Sequence, residues 1–109
     1  MRPTTIDGFL RSLRLVFQRG KSAGLNAAYH FVFTGAQQRD ATIVIANQQL
    51  RVERGLIGEA RLTVTADSEA WLRFLRKEAS LPFALLSRKI RLRGDPRLLL
   101  AFGKCFAMG

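Results

Sequence analysis

A single cysteine, Cys105, and a single histidine, His30, leave this chain without the means for an intramolecular disulfide or a Cys/His zinc site. Acids are scarce as well, with 8 Asp plus Glu against 18 Lys plus Arg. None is arranged for acid–base work: Asp67 and Asp95 read as helix caps, and Asp40, Glu53 and Glu59 fall in turns or exposed strand positions. Neither phosphate-cradling loop, G-x-G-x-x-G or G-x-x-x-x-G-K-[ST], occurs. No apolar run approaches the roughly 20 residues that span a bilayer. Asp7, Arg11 and Arg14 interrupt the N-terminus where a signal peptide would be continuously apolar. The reading is of no catalytic residue, no metal and no cofactor, in a cytoplasmic protein able to lie against the inner face of a membrane.

What the chain does have is positive charge on a globular composition. With 109 residues and 48% hydrophobic content it can bury one core, so one domain over 1–109 is expected. Its net charge of +10 favours polyanionic partners: nucleic acid, anionic lipid headgroups or an acidic protein. Fourteen of the cations are arginine, whose planar fork suits phosphate.

Apolar residues at Ile6, Phe9, Leu10, Leu13, Val16 and Phe17 keep helical spacing and predict an amphipathic, basic helix over 5–19, capped by Thr4 or Thr5 and stopped by Gly20. The period then falls to two. "AYHFVFTG", "ATIVIAN", "QLRVER" and "ARLTVTA" read as four strands whose short links predict antiparallel neighbours in a meander. Asp67 or Ser68 caps a helix in "SEAWLRFLRKE", Ser80 a shorter one in "SLPFALLSR". A strand follows with Lys89, Arg91 and Arg93 on one face and Ile90 and Leu92 on the other. Gly94 turns the chain, Asp95 and Pro96 start the last helix, and that helix carries Leu98 to Phe106. The fold class is α+β: about five mostly antiparallel strands in a curved sheet covered by helices, in the order α-β-β-β-β-α-α-β-α.

His30 alternates away from the aromatic face formed by Tyr29, Phe31 and Phe33, which suits a surface or edge residue better than a general base. Cys105, within an apolar helix, reads as a small buried hydrophobe. The four cations within residues 88–93 could follow a phosphate backbone, spaced about 6.7 Å on one face. No aromatic alternates with them, so the stacking half of a single-strand platform is missing and nucleic acid is disfavoured. "LPFALL" and "LLLAFGKCF" are apolar around more than one stripe. Gly103 within the latter fits either close helix packing or the border of a cavity.

The segment "ARLTVTADSEAWLRFL", with Ala60, Leu62, Val64 and Thr65 in place and Arg61 where an acid is usual, together with "SRKIRLRGD" over residues 87–95, resembles the sterol carrier protein 2 family. The likeness covers about residues 25–106. It implies a hydrophobic tunnel between sheet and helices that binds acyl chains, sterols, isoprenoids or phospholipids without catalysis. Carried over by position, the lining candidates are Phe33 and Ile45 of the sheet, Trp71 and Leu75, Phe83 and Leu86, and Leu99, Phe102 and Phe106. Arg88, Lys89, Arg91 and Arg93 become candidates for headgroups or a membrane surface. The family includes carriers, accessory factors of quinone-lipid biosynthesis and domains attached to enzymes. The absence of a targeting tail after Gly109 suggests a bacterial-type small protein or an excised domain. Two alternatives stand beside lipid binding: an interaction or dimerisation module of an enzyme, or a homodimer, with the cavity closed; and nucleic-acid binding through the basic strand.

Overall fold

The computed structural model describes residues 3–106. Helix α1 spans Ile6–Val16, strands β1 to β4 span Ala27–Thr34, Arg39–Ala46, Gln49–Arg54 and Leu62–Asp67, α2 and α3 span Ser68–Leu75 and Leu81–Leu86, β5 spans Ile90–Gly94 and α4 spans Arg97–Lys104. The element order and the α+β class agree with the sequence reading. The strands form one mixed sheet in the order β3-β2-β1-β4-β5.

The meander does not extend to β4. β1, β2 and β3 are successive antiparallel neighbours, but β4 lies parallel to β1, with Tyr29 opposite Leu62, and β5 closes antiparallel on β4. Link length forbids a tight parallel crossover only between strands that are adjacent in the sheet, and β3 and β4 are not. Arg54 lies level with Phe31 and Leu62 level with Tyr29, so the chain crosses three strand spacings and steps back by two residues, a diagonal of about 16 Å, well within the reach of about 26–29 Å for eight extended steps. Residues 55–61 make this crossing over the face opposite the aromatics. Thr42 Oγ1 donates to the Gly55 carbonyl and accepts from the Ile57 amide, and His30 Nε2 lies 3.1 Å from the Ile57 carbonyl. The histidine is thus half-buried beneath a strap.

Helix α1 ends earlier than expected. Thr5 caps it by accepting from the Gly8 amide, but the helix stops at Val16 and not near Gly20. Phe17 turns extended and bridges Phe106, while the Gln18 amide donates to the Cys105 carbonyl at 2.7 Å. Tertiary pairing therefore removes the last turn that periodicity alone would allow. The β2–β3 turn is two residues, Asn47 and Gln48, with φ of 52° and 57°, the left-handed pair that matches hairpin twist.

The core lies on one face of the sheet. Tyr29, Phe31, Phe33, Ile43, Ile45, Leu62, Val64 and Ile90 meet Ile6, Phe9 and Leu13 of α1, Trp71 and Leu72 of α2 and Phe102 of α4. Phe31 is central, in ring contact with Phe9, Phe33, Tyr29, Trp71 and Phe102. Tyr29 donates its hydroxyl to the Leu98 carbonyl at 2.8 Å and ties β1 to α4.

Burial pushes the Tyr29 phenol up from 10.0 to about 12. Its folded value thus exceeds its unfolded one. The associated stability is complete below about pH 10 and is lost as pH rises through about 12. Urea titrations should show a midpoint that is flat from neutral pH to about pH 10 and falls beyond it. Tyr29→Phe should cost about 1 kcal/mol at neutral pH and reduce the alkaline fall. An unchanged alkaline slope in that variant would assign the fall to other groups.

Candidate functional site

Helices α2 and α4 each start from an aspartate whose carboxylate accepts an amide of the first turn. Asp67 accepts the Ala70 amide at 3.0 Å and fixes α2 where β4 ends. Asp95 accepts the Arg97 amide and grips its guanidinium. It acts as the expected cap, although the regular helix begins one residue after Pro96. The Arg97 hydrogen bond and charge hold the Asp95 carboxyl below the usual range.

Between α2 and α4 lies a partly open cleft of about 260 Å³. Trp71, Phe74 and Leu75 form one wall, Leu99, Leu100, Phe102 and Gly103 the other, with Phe106, Leu81 and Lys77 completing it. A side chain added at Gly103 would meet nothing within 4 Å. Of the two roles open to this glycine, bordering a cavity is the one found. Lys77 is the one charged residue in the lining. The indole N–H of Trp71 is buried and without an acceptor among the described residues.

Such a lining can receive an apolar chain, with Lys77 as its one charged side chain. Among the described residues no group of three or more His, Cys, Asp and Glu could hold a metal. Burial pushes the Cys105 thiol up, and the thiol donates to the Ala101 carbonyl at 3.3 Å, within its own helix.

Of the nine lining candidates, Trp71, Leu75, Leu99, Phe102 and Phe106 come together here. Phe33 and Ile45 lie in the core, Phe33 against Trp71 and Phe9, and Ile45 opposite Leu50. Phe83 and Leu86 are exposed and do not line the cleft; α3 turns only Ala84 fully inward and contributes Leu81 at its start. Phe74, Lys77, Leu81 and Leu100 were not among the candidates. Leu100 was legible, since it precedes Gly103 by one turn and shares its helix face.

The four candidate cations divide. Arg91 and Arg93 alternate with inward-facing Ile90 and Leu92 and pair across from Thr65 and Thr63, so they occupy the sheet face away from the cleft. Arg88 and Lys89 sit at the junction of α3 and β5. No helix is long and apolar enough to cross a membrane among the described residues.

The sequence model of the SCP-2 sterol transfer family matches residues 12–107. No curated protein matches the chain. A sec-alkylsulfatase from Pseudomonas sp. has a similar structure, with a TM-score of 0.81 and 22% identity over 96% of this chain but 17% of its own. This chain therefore spans about a sixth of the sulfatase. A ubiquinone synthesis protein, UbiJ-SCP2, gives a TM-score of 0.69 at 20% identity, covering 88% of this chain and 87% of that one. Palmitated SCP2L2 from Aedes aegypti gives 0.67 at 20% identity, covering 97% and 99%.

Proposed function

This chain belongs to the SCP-2 sterol transfer family, and on that premise we propose that it binds an acyl, isoprenoid or phospholipid chain in the cleft between α2 and α4 without transforming it. The observation that carries the reading is an apolar cleft bordered by a glycine in the last turn of a helix whose central residues are all apolar. Transfer of a chain from water into such a lining contributes about 0.8 kcal/mol per methylene. The volume of about 260 Å³ falls a little under the usual range for ligand sites, roughly 300–1,000 Å³, so part of a long ligand extends beyond the lips. Lys77 stands at the cleft for a ligand's anionic end, and Arg88 and Lys89 serve the membrane surface. Arg91 and Arg93 have no part at the cleft. The role is that of a carrier or accessory factor in lipid or quinone metabolism, a class in which the similar ubiquinone synthesis protein suggests the isoprenoid quinones as first ligands to try. The chain works in the cytoplasm, peripheral to the membrane.

Trp71 is the one tryptophan of the chain and stands in the cleft wall, so it reports occupancy directly. Titration with palmitate or a short-chain quinone should shift its emission and saturate. Lipid should also appear when protein purified without detergent is extracted for mass spectrometry. A protein that carries no lipid and shows no saturable response to fatty acid, phospholipid or quinone would sink the reading. In that event the second reading gains, an interaction domain of a larger enzyme, which the sulfatase likeness favours.

A further inference from the structure

Helix α3, "LPFALL", is apolar on every side. Ala84 faces inward and Leu81 borders the cleft, while Pro82, Phe83, Leu85 and Leu86 are exposed, Phe83 at 67% and Leu86 at 85%. Across the cleft, Leu100 is 61% exposed on the other lip. A helix without a polar face belongs in apolar surroundings, and a contiguous exposed apolar patch marks a contact surface.

Cations bracket this helix. Lys77 precedes it and Arg88 follows it, each with φ of 61°. Each is the residue after the cap in a Schellman ending: Lys77 and Glu78 donate back to Phe74 and Arg73, Arg88 and Lys89 to Leu85 and Ala84. Glycine is the least strained residue at such a position, and here both are occupied by cations. The nearby acids are already engaged, Glu78 by Arg76 at 3.0 Å, Glu69 by Arg73 at 2.8 Å and Asp67 by the Ala70 amide at 3.0 Å. The surface around α3 is therefore apolar at its crest and positive at both ends.

We propose that α3 with Lys77, Arg88 and Lys89 is the surface by which this chain docks on an anionic bilayer, Phe83 and Leu86 entering the boundary between headgroups and acyl chains. The inference builds on the lipid-binding reading, since it brings the cleft lips, Leu81 and Leu100, to the phase that holds the ligand. Charge complementarity selects the occupant. A second copy would set the same cations against each other across a two-fold interface. A protruding apolar crest between cations fits the plane of an anionic interface, where basic residues meet headgroups and apolar ones the acyl boundary.

The test is co-sedimentation with vesicles of phosphatidylcholine and phosphatidylglycerol, against vesicles of phosphatidylcholine alone. Wild-type protein should bind the anionic vesicles. Phe83→Ser/Leu86→Ser should weaken binding by roughly 100-fold, about tenfold for each side chain kept in water. Lys77→Gly/Arg88→Gly should weaken it by about 25-fold, roughly fivefold per cation, while raising the melting temperature because the left-handed strain is relieved. Arg91→Ser/Arg93→Ser, on the other sheet face, should change it by less than about threefold at physiological salt. Wild-type protein that ignores anionic vesicles overturns the proposal. So does a Phe83/Leu86 variant that binds like wild type, or an Arg91/Arg93 variant that loses as much as the Lys77/Arg88 variant, which would leave net charge as the cause. Palmitate titration of Trp71 emission in wild-type protein without vesicles separates the two readings: wild-type protein that ignores anionic vesicles but titrates normally ends the docking proposal alone, and wild-type protein that docks but does not titrate ends lipid loading alone.

Discussion

Gly103→Trp is expected to lower affinity for a fatty acid or isoprenoid by at least about tenfold while leaving the protein folded. A tenfold loss is about 1.4 kcal/mol, less than the transfer of two methylenes. The indole need only displace that much ligand. Helical side chains lean toward the preceding turn, and the preceding turn holds Leu99 and Leu100, both in the cleft wall. The new ring would therefore lie over the cleft, where space is open. Gly103→Ala is the control: it should stabilise the helix by about 1 kcal/mol and leave loading intact. On sequence alone Phe102→Arg looks the natural way to block the site. The structure argues against it, because Phe102 is 3% exposed and in ring contact with Tyr29, Phe31 and Phe106, so the charge would enter the core. Loading of Gly103→Trp equal to wild type would place the ligand elsewhere.

Gly94→Ala is expected to destabilise the protein by about 2–4 kcal/mol, a fall in melting temperature of roughly 10 °C. Gly94 has φ of 120°, where an L side chain is strained whatever the space. Space is also absent. A methyl there would collide with the Arg61 carbonyl oxygen and come within 3.1 Å of Leu62 Cα. Both are backbone atoms of the strap and of β4, so no rotamer change relieves the contact. The disturbance would also reach Asp95 and the start of α4, one wall of the cleft. Loading should therefore weaken along with stability. A melting temperature within about 2 °C of wild type would refute the packing argument.

These two glycines show what could be read in the sequence and what could not. Gly94 was legible, since a strand with Ile90 and Leu92 inward, a glycine and an Asp-Pro helix start describe one chain path. Gly103 was half legible: the sequence marks a missing side chain in an apolar helix without saying whether a neighbour or empty space takes its place. The strands declared themselves through alternation, as did the caps Thr5, Asp67 and Ser80. The pairing of β4 did not. Link lengths constrain consecutive strands only when they are neighbours in the sheet, and the seven residues 55–61 are long enough to carry β4 past β2 and β1. Phe83 and Leu86 were grouped with the lining by position, from the family resemblance. A helix apolar all round has no stripe from which its inward side can be read, and the structure turns Ala84 inward instead.

The parallel pairing of β1 with β4 also orders events in time. β1 can zip onto β2 and β2 onto β3 through short hairpins, the local closures that form fastest. The other edge of β1 waits for Leu62 to Asp67, which arrive only after both hairpins and the strap. During synthesis at roughly 5–20 residues per second, the most aromatic strand of the protein therefore has one unpaired edge for a few seconds. That interval, more than anything in the finished fold, is when this chain is most exposed to aggregation, and slowing it by lengthening the strap should lower soluble yield before it lowers stability.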